Sequence, residues 1–477
     1  MTGDPDVAGA VGAYYTDPHV RRRVREYCGD MGDGAMSAVY LMALTGAESP
    51  RASWEHAKRH PPDDLDRLLA EGADISRSLW DTRGLLVHLD IDYQNTDYPG
   101  EAWHHPADVF FKLEPVYRAV HHMLRRFDLP LLPVTTGQGY HFTGVIPLES
   151  PVIDRLAALV PAVPNWLPTL AERDPSRSQD LTPRQARAYA GLGLLMEFLA
   201  HGVMRRAHRR TPVPIVLNGT AVGRGLAGRD CVSLDLSCYG DPLDVRHIRV
   251  AYSAYQKHRF RPDVVGTRAS TEVPPLVAVP RRGALAPLPA DARDARHAAR
   301  AARRGSAALP HADAGVARLT DAYLRSPLAQ FHRGFYARRR RTPAERARLF
   351  GSVRLEALPK CVERPLAAPN DLLLQPARVQ HITRWFLSEG VAPRDIAALV
   401  QSRYEGDFQW GSRWRTLDAE TRAEFDVRVF AGLISTGIDR ALDFNCRSAQ
   451  EKGLCPSEPC VHDLRVDQQR LLAAVRS

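Results

Sequence analysis

The stretch GLLVHLDIDYQN, residues 84–95, constrains this chain more than any other. Its alternation reads as a strand, with Val87, Leu89 and Ile91 on one face and His88, Asp90 and Asp92 on the other. An apolar run of this kind belongs inside a sheet. Two carboxylates side by side on one face repel each other, and burial raises the cost further. A bound divalent cation would relieve both problems. A strand edge with two solvated aspartates would relieve them too, so the rest of the chain has to decide.

At 477 residues and 44% hydrophobic content the chain can bury sizeable cores, and two or three domains are expected. No stretch approaches the ~20 apolar residues that span a bilayer. The first residues lack a basic-then-apolar leader. Seven unevenly spread cysteines argue for reduced thiols rather than a disulfide framework. These features predict a cytoplasmic protein with no membrane partner.

The charge is localised. Residues 281–348 hold 16 Arg, no Lys and five acidic residues, a net of +11 against +9 for the whole chain. Guanidinium forks suit phosphate recognition. The chain is also rich in Ala and Arg throughout, so the excess is equally read as compositional.

Residues 1–80 read as helices, for example AMSAVYLMALTG and DDLDRLLAEGADI. A strand, a helix (ADVFFKLEPVYRAVHHMLRRF) and further strands around a Gly-rich turn follow to residue 149. Residues 150–212 read as mostly helical. A strand pattern returns at CVSLDLSCYG, and five prolines in 274–289 mark a boundary. From about 350 onward the periodicity is helical.

Two further stretches carry chemistry. In TTGQGYHFTG, residues 135–144, Gly137 and Gly139 let backbone amides approach an anion, and His141 stands just beyond. Hairpins use the same residues. In VSLDLSCYGDPLDVRHIRVAYSAYQKHR, residues 232–259, Asp235 lies inside another apolar alternation. Arg249, Ser253 and Lys257 follow at intervals of four, which shares one side if the segment is helical; a solvated basic face is the plainer alternative.

The order of these pieces resembles the archaeo-eukaryotic primase superfamily of primases and primase-polymerases. That family carries an hDhD strand (h apolar), an sGxGxH-like turn, an hD strand, then a basic residue and a Ser-x-His-x-Lys-like run. This chain supplies LDID, TGQGYH, LDL and HIRVAYSAYQK in that order, over residues 80–260. The resemblance implies that Asp90, Asp92 and Asp235 bind two Mg²⁺ or Mn²⁺ ions for nucleotidyl transfer. It implies that Thr136, Gly137, Gly139 and His141 hold the triphosphate, with Arg249, Ser253 and Lys257 as further contacts. Gln138 stands where many members carry Arg or Lys, and Tyr255 where replicative primases have a second His. Those departures bear on nucleotide affinity and sugar preference.

The tail, DFNCRSAQEKGLCPSEPCVHDL, spaces Cys446, Cys455 and Cys460 as Cys-x8-Cys-x4-Cys, and Cys361 lies far upstream in LPKCVERP. Thiolates gathered from distant positions imply a metal or cluster that ties segments together. The tight Cys-x2-Cys pair usual in zinc ribbons is missing, and four cysteines also suit a [4Fe–4S] cluster. Residues 355–465 resemble the C-terminal iron–sulfur domain of primase large subunits. That resemblance implies one [4Fe–4S] cluster on these four cysteines, with Zn²⁺ as the alternative.

The expected fold is α+β. A helical segment 1–80 packs on an RRM-like catalytic core with a mixed sheet, 81–273. A Pro/Arg-rich linker with helices, 274–350, leads to an all-helical iron–sulfur domain, 351–477. The expected function is a DNA-dependent primase-polymerase acting on a single-stranded DNA template and primer with NTP or dNTP. A helicase or another replication or mobile-element protein is a further expected partner. The alternatives are a repair or gap-filling polymerase that cannot initiate, and a degenerate member that only binds nucleic acid.

Overall fold

The computed structural model describes residues 5–44, 58–173, 181–220, 229–240, 247–260, 262–281, 293–410, 418–456 and 459–474. The architecture is mixed α/β. Its strands are β1 (Leu41–Leu44), β2 (Lys58–His60), β3 (Asp74–Ser78), β4 (Gly84–Asn95), β5 (Leu132–Thr135) and β6 (Gly139–Pro147). They continue with β7 (Ile215–Leu217), β8 (Asp230–Asp235), β9 (His247–Arg249), β10 (Ala254–Tyr255), β11 (Leu276–Val277) and β12 (Val279–Pro280). After Pro280 the regular elements described are helices, apart from an isolated bridge at His311. No described helix is long and apolar enough to cross a membrane.

The chain folds into two compact units, and it passes between them several times. The first comprises 1–153, 209–213 and 245–317; the second comprises 154–208, 214–244 and 318–477.

In the first unit β12, β5, β6 and β4 pair antiparallel in that order. The β4–β6 register sets Leu89 opposite Phe142 and Ile91 opposite Tyr140. Val87, Leu89, Ile91, Tyr140 and Phe142 are fully buried, so this face is the core side. The helix Pro106–Arg126 covers it. Pro106 sits in the first turn, where a missing N–H costs nothing. Val109, Phe110, Leu113, Val116, Tyr117 and Val120 recur at helical spacing and are buried. Tyr117 meets Tyr140 and Phe142 at ring-centroid distances of 4.6 and 5.6 Å. Arg281 seals this layer: its guanidinium lies 3.7 Å over Tyr117 and donates to Tyr140 Oη and Glu114 at 2.7 and 2.9 Å.

A second sheet, β2-β1-β3-β9, is also antiparallel. It corrects the helical expectation for residues 1–80. Helices do form at Pro5–Tyr15, Pro18–Tyr27 and Leu65–Ala70, but LMAL within the expected helix AMSAVYLMALTG is β1. A short apolar run has no periodicity to separate buried helix from buried strand, and pairing with β3 decides it. Within the expected linker, β12 joins a sheet while residues 282–292 lie outside the described residues.

In the second unit β7 and β8 pair parallel, and the other regular elements described there are helices. Pro183–Ala207 opens with a capping box between Thr182 and Gln185. Gly191 in its interior is required by close packing, since a Cβ there would lie 2.0 Å from the Leu156 carbonyl oxygen. The helices Pro376–Ser388, Pro393–Tyr404 and Ala419–Ser435 pack on one another around Ile382, Ile396, Val400, Val427 and Phe430.

Candidate functional site

The polar face of β4 is the first unit's candidate site. Asp90 stands opposite His141 and Asp92 opposite Gly139. Both aspartates are partly exposed, in contrast to the sealed apolar face beneath them. His141 Nε2 lies 3.4 Å from Asp90 Oδ1. One ligand atom each from His88, Asp90 and His141 falls within 4.8 Å of the others. His88 is buried, with Nδ1 3.0 Å from Thr143 Oγ1 and its ring edge-on to His141 at 5.1 Å. Sequence reasoning placed His88 on this face but gave it no role. Nothing local joins it to His141; the cross-strand register does.

The turn Thr136–Gly139 explains both glycines by packing. A Cβ at Gly139 would lie 1.8 Å from the Ile91 carbonyl oxygen, and one at Gly137 would lie 2.2 Å from the Tyr255 ring. The turn closes through Thr136 N–H to Gly139 O at 2.9 Å and Gly139 N–H to Thr136 Oγ1 at 3.2 Å. Gly137 and Gln138 form its tip. Arg293 Nη1 donates to the Gly137 carbonyl at 2.7 Å. Arg293 is buried, and burial lowers its pKa to about 10. It is a fixed positive charge under the turn that sequence reasoning saw only as part of an Arg-rich stretch.

Tyr255 forms the floor of this region. Burial raises its phenol pKa, and the nearby Asp92 and Asp90 carboxylates raise it further, so it stays a neutral phenol. Arg249 lies 4.6 Å over the Tyr255 ring. Its guanidinium is buried against Asp74, and burial lowers its pKa to about 10. Ser253 is fully buried, its hydroxyl donating to the Val250 and Ile75 carbonyls at 2.7 and 3.0 Å. Lys257 opens the short helix Lys257–Phe260 and is partly exposed.

These three residues do not share a helix face. Arg249 ends β9, Ser253 is in a turn after Tyr252 at φ 64°, and Lys257 begins the helix. Pairing of β9 with β3 overrides the local four-residue spacing. Arg249 and Ser253 are committed to internal partners, while Thr136, Gly137, Gly139 and His141 cluster beside Asp90 and Asp92.

In the second unit Asp235 ends β8, partly exposed, and accepts from Ser237 N–H at 2.8 Å and from the Ser237 hydroxyl. Asp426, on the helix Ala419–Ser435, is its carboxylate neighbour. Burial raises the Asp426 pKa, the Arg422 guanidinium at 2.8 Å opposes this, and Asp235 adds to the rise. Sequence reasoning missed Asp426, which carries no motif.

Cys361 is buried, Cys446 and Cys455 are partly exposed, and Cys460 is exposed. Burial pushes the Cys361 thiol up to about 12, and Cys455, Cys446 and Cys460 lie near enough to raise it further. The structure thus gathers all four thiols into one electrostatic neighbourhood. His381 Nε2 stands 3.1 Å from Cys361 Sγ, and burial lowers the His381 pKa to about 3, keeping it neutral. Arg378 holds the Gly453 and Leu454 carbonyls at 2.9 and 3.2 Å beside Cys455. Cys28, Cys231 and Cys238 are separately buried.

Much of the excess charge in 281–348 is spent internally. Arg281 pairs with Glu114, Arg303 with Asp17, Arg341 with Asp395 and Arg346 with Glu405.

No protein-family model and no curated protein matches the chain. Among solved structures, the polymerase domain of Mycobacterium tuberculosis Ligase D in complex with DNA is similar at 16% identity, over 64% of this chain and 94% of that one, with a TM-score of 0.33. A likeness at that score says nothing of this chain's chemistry.

Proposed function

We propose that the chain is a DNA-dependent primase-polymerase, joining nucleotides on a single-stranded template and starting strands without a primer. The observation that carries this reading is the register of β4 on β6. It sets Asp90 and Asp92 directly against the Gly-x-Gly-x-His turn, so carboxylates and the Gly-rich turn stand side by side. Nucleotidyl transfer needs that pairing, because the triphosphate must lie beside the groups that handle its charge.

Asp90, Asp92 and Asp235 are the proposed carboxylate ligands, with His88 and His141 within reach of Asp90. Oxygen donors suit Mg²⁺ and Mn²⁺, and imidazole shifts the balance toward Mn²⁺. Such ions, when bound, would activate a 3′-hydroxyl and neutralise triphosphate charge. The chain's own groups do the positioning. The Gly137 and Gln138 amides at the turn tip donate to phosphate oxygens, Arg293 holds the turn through the Gly137 carbonyl, and the partly exposed Lys257 adds a cation. Arg249 and Ser253 act through the scaffold: Arg249 braces Tyr255, which packs under Gly137.

The four cysteines are proposed to hold one [4Fe–4S] cluster. What supports a shared centre is that Cys455, Cys446 and Cys460 all act on the Cys361 thiol, and four thiolates suit a cluster of this kind as they suit zinc.

The test is to incubate purified protein with single-stranded template, Mn²⁺ or Mg²⁺ and labelled nucleotides, without primer. New oligomers support the proposal. Extension only of a supplied primer would reduce it to a gap-filling polymerase, and no incorporation at all would leave a binding protein.

A further inference from the structure

The second unit contains a cavity of about 230 Å³ that no part of the proposed chemistry uses. Arg338, Arg339, Arg340, Arg394 and Arg428 line it, with Glu424 the single acidic lining residue among the described residues. The other carboxylates that pair these arginines are not among the lining residues: Asp395 for Arg338, Glu345 for Arg339, Glu420 for Arg340 and Glu197 for Arg428. A guanidinium has five N–H donors, so one paired carboxylate fixes its plane and leaves it donors for a second anion.

Arg394 is the most telling of the five. It is 7% exposed, and one nitrogen pairs with Glu424 at 2.7 Å while the guanidinium packs over Phe335 at 4.8 Å. Its Nη1 is buried and has no hydrogen-bond partner among the described residues. A buried charged donor left unmatched is unfavourable, and a turn of the Arg394 side chain toward the cavity would let an anion there satisfy it. Tyr336 is placed to help. Its hydroxyl accepts from Arg428 Nη1 at 2.8 Å, so its own hydrogen is free to donate. At the rim, Arg338 and Arg339 are 59% and 72% exposed. Exposed ion pairs of this kind are worth about 0–1 kcal/mol, so they exchange readily for a ligand.

We propose that this cavity binds a phosphate monoester, with Arg394 and Tyr336 at its base and Arg338 and Arg339 closing over it. The volume is below the ~300–1,000 Å³ of sites that enclose whole drug-sized ligands. It therefore takes a phosphate and part of the attached nucleoside, with Trp166 and Tyr239 among the lining aromatics. The same chemistry is offered by a free nucleoside monophosphate and by the 5′-phosphorylated end of a strand. The proposal does not depend on nucleotidyl transfer by the chain.

The test is calorimetric titration of the full chain in EDTA, which suppresses metal-dependent nucleotide binding. The probes are AMP, adenosine, and a short oligodeoxynucleotide with and without a 5′-phosphate. Phosphorylated probes should bind and their unphosphorylated counterparts should not. Binding of AMP identifies a free-nucleotide site, and binding of the phosphorylated strand alone identifies a strand-end site. Arg394→Lys should weaken binding about tenfold or more, the loss of one charge-assisted contact. Because Arg394 is buried, Arg338→Gln with Arg339→Gln provides a surface variant that leaves the core untouched, with the same expected loss. Equal binding with and without the phosphate would overturn the proposal, as would no binding by any probe. So would binding lost in His141→Ala but kept in the arginine variants.

Discussion

Replacing Gly139 with Ala tests the link between the turn and the carboxylates. A Cβ there would lie 1.8 Å from the Ile91 carbonyl oxygen and 3.0 Å from Asp92 Cα, both backbone atoms of β4. Ordinary contact begins near 3.4 Å, so β6 must retreat from β4 by about 1.6 Å. Tyr93 N–H on β4 donates to Gln138 O in the turn at 2.9 Å. A retreat of that size takes this bond well past the ~3.2 Å limit. One lost hydrogen bond at about 1 kcal/mol, with overpacking at about 1–3 kcal/mol, gives a destabilisation of about 2–4 kcal/mol. That is a large part of a typical domain's 5–15 kcal/mol. Asp92 and the turn would shift with it, and a misplacement near 1 Å costs on the order of 100-fold in rate. Hydrogen exchange at the Tyr93 amide reads the local opening, thermal unfolding reads the stability, and primer extension reads the chemistry. Wild-type exchange at Tyr93 together with a wild-type melting temperature would refute the packing argument. Lost stability with full activity would separate the turn from catalysis.

Three further outcomes are expected. His88→Ala and Asp90→Ala should each weaken Mn²⁺ binding, measured by electron paramagnetic resonance of free ion; unchanged affinity in both would exclude this face as a metal site. Anaerobically purified protein should be brown with broad absorbance near ~400 nm, and Cys361→Ser should bleach it and lower stability, because the site closes a loop running from 361 to 446. Colourless protein with about one zinc per chain would replace the cluster by zinc. Glu197, fully buried between His332 at 3.2 Å and Arg428 at 3.1 Å, has its carboxyl pKa lowered to about 2: burial opposes ionisation, and His332 and Arg428 outweigh it. A depressed folded pKa contributes stability above the unfolded value of about 4.5 that is lost as pH falls toward 2. Melting temperature should therefore drop over that window, and Glu197→Gln should flatten the drop; an identical acid limb in both proteins would contradict the assignment.

The features legible in the chain are those encoded by local period. The alternation around Asp90 and Asp92 forms β4 with its apolar face sealed, because side chains of a strand must alternate. The 21-residue helix Pro106–Arg126 follows from apolar spacing near 3.6. The Gly-rich turn before His141 was readable too, though its glycines answer to Ile91 and Tyr255 rather than to an anion alone. Registers between distant strands have no local signature. The pairing of Asp90 with His141 and of His88 with Thr143 turns a two-carboxylate strand into a mixed carboxylate–imidazole site. The pairing of β9 with β3 overrode the four-residue interval from Arg249 to Lys257, since a ladder formed with residues far away in sequence outweighs weak propensity. The same holds for Asp426 beside Asp235 and for the arginine cavity, whose walls come from segments near 165, 239, 338, 394 and 425. Such sites arise only when helices pack, because no periodicity within one segment records which others it will face.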